Sequence, residues 1–180
     1  MQLNQLVNSK LALFLLCATI TCTCYATIHV NLGDIGQHIY PAEQLVRVDV
    51  TVSEDIRDKM QDISSVRQTF KTDNIYRTQN GDWLVVDEVV GKHELIKYAV
   101  AINKDGSIKQ IEIMDYVESY GYQVAEANWR QQFVGKTVAS PIKLKKDIDN
   151  ISGATLSCKH IADGVKRVMV MYDLVLKNKT

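Results

Sequence analysis

The chain has 180 residues, 46% apolar and 23% charged, with 21 Lys and Arg against 21 Asp and Glu. That length suits one domain, the apolar fraction excludes intrinsic disorder, and the lack of a basic surplus speaks against a nucleic-acid partner. Two prolines and nine glycines without a repeat period exclude collagen-like and low-complexity classes.

The first 26 residues read apart from the rest. Lys10 is their only charge, an apolar run follows from Leu11 to about Cys24, and small residues end it at Cys24-Tyr25-Ala26. This is the pattern of a secretory signal peptide, so the chain is expected to cross the inner membrane into the periplasm. The alternative is an uncleaved anchor, since residues 11–28 reach the lower edge of a membrane span. Cleavage removes Cys17, Cys22 and Cys24 and leaves only Cys158. With no intrachain disulfide, an exported domain must rely on its core.

Val46, Val48, Val50 and Val52 alternate with polar residues, which predicts a half-buried strand. Ser53 is the expected N-cap of a short helix to about Asp62, with Glu54 and Asp55 in its first turn. Residues 63–81 read as polar and irregular, ending in the turn signal Gln79-Asn80-Gly81-Asp82. Trp83 to Val90 is a compact apolar run, expected as a buried strand. From about Glu94 to Asn103 a strand places Ile96, Tyr98, Val100 and Ile102 on one face. Lys104-Asp105-Gly106 turns it back into a partner from about Ser107 to Val117, Asp-Gly being a strong hairpin dipeptide.

A helix is expected from about Gln123 to Phe133, then a loop with Gly135 and Pro141. The last element is a helix of about 22 residues, on the stripe spacing of an amphipathic helix. Its stripe is Cys158, Ile161, Val165, Val168, Tyr172 and Val175, with Ala162, Met169 and Leu176 beside it. Lys159, Lys166, Arg167 and Lys177 largely fall off that stripe. The order predicts an α+β fold, an antiparallel sheet with a hairpin packed against a long C-terminal helix and shorter helices. Residues 27–82 are expected to be an extension of the same unit, and 83–180 its main part.

The chemically informative stretch is Asp149-Asn150-Ile151-Ser152-Gly153-Ala154-Thr155-Leu156-Ser157. With Ser152 as N-cap, Gly153, Ala154 and Thr155 fall in the first helical turn. The free N–H groups and positive end of that helix suit a phosphate, and the small residues admit a bulky group. A plain capped helix explains the same residues without any ligand. His93-Glu94-Leu95-Ile96-Lys97 lacks the second histidine of a zinc-protease helix and lies in a strand pattern. Cys158-Lys159-His160 does not converge on a metal, so no metal site is expected.

The segment from Asp149 to Ser157 resembles the flavinylation motif of the FMN-binding domain family. Val89-Val90-Gly91-Lys92-His93-Glu94, Tyr116-Val117-Glu118-Ser119-Tyr120-Gly121, Trp129 and Phe133-Val134-Gly135-Lys136 resemble its small exported members, in the same order. The resemblance implies FMN joined by a phosphoester to Thr155, placed there by a flavin transferase. It further implies that Ser152, Gly153, Ala154, Leu156 and Ser157 shape the site and that Asp149 helps the transferase recognise it. Glu118, Tyr120 and Gly121 would lie near the flavin, with Tyr122 a further candidate. The function implied is an electron carrier rather than a self-sufficient enzyme. It would take electrons from a membrane redox protein and pass them to an acceptor the sequence does not name. Two alternatives stand beside it, a flavin-dependent extracytoplasmic reductase and a non-redox module whose capped helix imitates the motif.

Overall fold

The computed structural model describes residues 27–179, so the signal-peptide expectation for residues 1–26 lies outside it. Its strands are β1 (Ile28–His29), β2 (Val46–Arg47), β3 (Ile75–Arg77), β4 (Trp83–Val90), β5 (Leu95–Ile102) and β6 (Ile108–Tyr116). They form one antiparallel sheet in the order β1-β6-β5-β4-β3-β2. The helices are α1 (Leu32–Ile39), α2 (Glu54–Ser64), α3 (Ala127–Arg130) and the long C-terminal α4 (Thr155–Leu174). The α+β fold is therefore as the pattern predicts. No helix among the described residues is long and apolar enough to cross a membrane.

The hairpin is the centre of the sheet, and side-chain alternation decides what covers each face. Ile96, Tyr98, Val100 and Ile102 of β5 point into the larger cluster, where Cys158, Ile161, Val165 and Val168 of α4 meet them. Ala99 and Ala101, between them, face the opposite side and pack with Leu84, Val86 and Met114 under Ile35, Ile39 and Tyr40. β4 is thus covered on both faces, which explains its unbroken Trp-Leu-Val-Val run.

Several expected elements differ. The valine strand at 46–52 shrinks to Val46–Arg47, which pair with β3, and contact with β3 ends at one further bond from the Val48 N–H to the Ile75 carbonyl at 2.8 Å. Val50 and Val52 are nevertheless buried beside Met60 of α2 while Val46 is exposed. Their alternation records burial, not a ladder. Residues 63–81 contain β3, which the polar composition hides. Helix α1 has no counterpart in the sequence reading, because Gly33 and Gly36 weaken its propensity. Asn31 caps it by accepting from the Asp34 N–H at 2.9 Å. Leu45 packs so closely on Gly36 that a Cβ there would lie 2.9 Å from its Cδ1.

The helix expected at 123–133 is broken into a 3-10 turn (Tyr122–Ala125), α3 and a second 3-10 turn (Gln131–Phe133). Glu126 takes an extended conformation between the first two. Burying Val124, Trp129 and Phe133 together outweighs helical continuity.

α4 begins later than expected. Its N-cap is Ala154, not Ser152, and Gly153 has φ +83°, a left-handed conformation that cannot belong to a helical turn. The helix is 20 residues long. Arg167, expected off the apolar stripe, is instead 2% exposed. It is buried because Asp87 on β4 faces it. Arg167 Nη2 donates to both Asp87 carboxylate oxygens, at 2.8 and 2.7 Å, and Nε to Oδ2 at 3.1 Å. Tyr98 donates its hydroxyl to the same carboxylate at 2.6 Å. Arg167 Nη1 and Nη2 reach the Gln68 and Glu88 carbonyls at 2.7 and 3.0 Å. This network satisfies two buried charges and ties α4 to the sheet and to the loop after α2.

The outer edge of β6 is covered. β1 pairs with only its last residues, at Asp115 and Tyr116. Nearer its start, Ile108 exchanges backbone bonds with the 135–136 loop at 2.7 and 2.8 Å, and Arg130 donates to the Ile111 carbonyl at 2.7 Å.

Candidate functional site

Three segments converge at one end of the sheet: the β4–β5 turn, the chain just after β6, and the start of α4. Between them is a cleft of about 310 Å³ lined by Lys92 and His93, by Glu118, Ser119 and Tyr120, and by Gly153 to Ser157. That volume is at the lower end of small-molecule sites.

The start of α4 is open. No side chain caps it, so the first-turn N–H groups of Thr155, Leu156 and Ser157 lack an intrahelical partner and add to the positive end of the helix. Ala154 is buried and closes a tight turn by donating its N–H to the Ile151 carbonyl at 3.0 Å. Thr155 follows as the first helical residue, with its side chain exposed beside the cleft.

Gly121 brings the β6 extension against this turn. It has φ +89°, and a Cβ there would sit 2.4 Å from Ala154 Cβ and 2.7 Å from the Tyr116 hydroxyl. Tyr116 donates that hydroxyl to the Tyr120 carbonyl and lies 3.4 Å from Ser157 Oγ. Burial raises the phenol's pKa, against the opposing effect of Ser157, so it remains a protonated donor at neutral pH. Tyr116 thereby links the loop carrying Tyr120 to the first turn of α4.

Glu118 faces the other wall. Its Oε1 accepts the consecutive N–H groups of Lys92, His93 and Glu94 at 2.5, 2.7 and 3.1 Å. Burial acts to raise its pKa, but these three bonds outweigh it and hold the carboxyl below its ordinary value. Gly91 opens this turn because a Cβ there would lie 2.5 Å from Glu118 Oε1. His93 and Glu94 are therefore in a turn, not in the strand the pattern suggested. On the far side, His160 Nδ1 lies 2.6 Å from the Val90 carbonyl and joins α4 to the end of β4.

Of the residues singled out from sequence, Thr155, Gly153, Ala154, Leu156, Ser157, Glu118 and Tyr120 share the cleft lining. Gly121 is buried behind it. Ser152, Asp149 and Tyr122 are exposed and do not line it. Asp149 is moored by its backbone, donating to Gln132 Oε1 at 2.7 Å and accepting from Trp129 Nε1 at 2.9 Å. Lys92, His93 and Ser119 line the cleft without having been assigned a role. The available signal was the polar Lys-His-Glu triplet after Gly91, which suits a turn better than a strand.

The model of the FMN-binding domain family matches residues 91–170. No curated protein matches the chain. The match begins at the glycine that opens the β4–β5 turn and takes in the Glu118 segment and most of α4, so every wall of the cleft falls inside it. Residues 91–170 of this chain thus match the FMN-binding domain family, and that match supports a flavin-binding protein.

Proposed function

We propose that the protein is an exported electron carrier whose FMN is esterified to Thr155. The observation that supports this most is the uncapped start of α4, where an exposed threonine hydroxyl adjoins unpaired N–H groups at the edge of a cleft. A phosphate suits that position on charge and on hydrogen bonding. Gly121 and Ala154 are in such close contact that no larger side chain fits between them. The uncapped amides and the exposed Thr155 hydroxyl at the cleft fit the phosphate of the cofactor. Bound FMN supplies reversible electron uptake, which no side chain here can provide.

The chain's own residues do the rest. Thr155 Oγ1 forms the new bond to phosphorus while the pyrophosphate of FAD breaks, AMP leaves and the hydroxyl proton is released. A flavin transferase performs that exchange, with Asp149 exposed for its recognition. The first-turn amides of α4 hold the phosphate, and Tyr120 and Leu156 offer apolar walls. A covalent tether retains the cofactor at high effective concentration outside the cytoplasm, consistent with the signal-peptide pattern of residues 1–26. The electron donor is a membrane redox protein.

Intact-protein mass spectrometry after coexpression with a flavin transferase tests the reading. The expected product is heavier by one FMN less one water, and Thr155→Ala removes the adduct. An unmodified, colourless wild-type protein under those conditions overturns it. Stopped-flow reoxidation then separates carrier from reductase, since saturable turnover of one small molecule is the signature of a reductase.

A further inference from the structure

Glu118 is 8% exposed, and its carboxylate bonds to backbone amides. It is spent on backbone: one oxygen receives three successive N–H groups of the β4–β5 turn. Successive amides converging on one point form an anion-binding concavity, and here the anion is internal. Two residues of this turn, Lys92 and His93, line the cleft.

We infer that Glu118 is a positioning residue of the flavin site, whose buried carboxylate organises the Lys92–Glu94 turn and so keeps Lys92 and His93 on the cleft wall. This rests on the flavin reading of the cleft. Two consequences follow from the chemistry. With the concavity filled from within, the start of α4 is left as the open anion seat of the cleft, which directs a phosphate to Thr155. Lys92 is also kept on the cleft wall, where its positive charge would raise the midpoint potential of a bound flavin because added electrons bring negative charge. Gly91 belongs to the same device, since any Cβ there would displace Glu118. The charged and titratable groups around the carboxylate are Lys92, His93 and Glu94 of the turn and Tyr116 at the end of β6.

The test uses Glu118→Gln, which keeps the shape and removes the charge. In the unmodified full chain, amide exchange at Lys92, His93 and Glu94 is expected to accelerate about tenfold or more, with β5 and α4 amides unchanged. Unaltered exchange at the three amides overturns the inference. Should the variant fail to fold, the wild-type chain decides the matter. Acidification below the ordinary carboxylate range is expected to strip protection from these amides before those of β5, and retained protection overturns it. In the flavin-loaded chain the potential discriminates further. Loss of a negative charge alone raises it, whereas displacement of the turn lowers it, so a fall supports the inference and a rise or no change overturns the link to the flavin. If the wild-type chain takes no flavin, the proposed function fails while the exchange result still judges the role of Glu118 in the turn.

Discussion

Two glycines at the cleft have the same backbone handedness and different surroundings, and they separate strain from crowding. Gly153 has φ +83° with nothing near its missing Cβ, whereas Gly121 has φ +89° with Ala154 and Tyr116 pressed against it. Gly153→Ala is expected to cost about 1–2 kcal/mol, the left-handed penalty alone. Gly121→Ala carries the same penalty plus a clash worth a further 1–3 kcal/mol, roughly, and forces the Tyr120 loop away from α4. Thermal denaturation of the two variants checks the order, and flavin occupancy after coexpression should fall further for Gly121→Ala. The sequence made Gly153 and Gly121 visible as small residues near a motif. It could not show that one is needed for its φ and the other for its neighbours as well, because that depends on where Ala154 lies.

At the scale of elements, two loops hang on single carboxylates. Glu118 holds the β4–β5 turn, and Asp147 holds residues 142–147 by accepting from Lys143 N at 2.7 Å, Ile142 N at 3.1 Å and Lys136 Nζ at 2.9 Å. Burial works against both charged forms, but the hydrogen bonds prevail and lower both pKa values. Lowered folded values mean stabilisation that is complete above the ordinary carboxylate range and is lost as pH falls through the folded pKa values. Urea midpoints should therefore be flat near neutrality and drop below about pH 4, and Glu118→Gln or Asp147→Asn should each flatten the drop. Helix α4 offers a sharper contrast. In an exposed helix interior Gly→Ala gains about 1 kcal/mol, but a Cβ at Gly164 would lie 2.3 Å from the Tyr98 hydroxyl and 2.8 Å from Val89 Cγ1. Gly164→Ala is expected to destabilise by about 1–3 kcal/mol, read from urea unfolding. The hairpin was legible in advance because alternation and Asp-Gly are local signals. The start of α4, the short β3 and helix α1 were not. Ser152 looks like a cap only until Gly153 turns the chain, and β3 exists because β4 offers it an edge.

Across the whole molecule, the Asp87–Arg167 pair joins residues that are distant in sequence and inside one core. Nothing local reveals it, since Arg167 looks like one more helix-surface charge until Asp87 is known to face it. Asp87→Ala leaves a guanidinium buried without its partner, and the expected cost is about 3–5 kcal/mol. Replacing both residues by apolar ones of similar volume should recover much of that loss, and calorimetry on the single and double variants measures the difference. The described residues contain one free, buried cysteine, so no covalent staple helps such a core. Protection against self-association must also come from shape. The sheet ends in two-residue strands on both sides, and where β6 would otherwise offer a longer run of backbone, Arg130 and the 135–136 loop already occupy it. Little unpaired ladder is left for a second copy to extend. A sheet closed off in this way resists edge-to-edge polymerisation through the shortness and covering of its own edges, with no disulfide needed among the described residues to lock it.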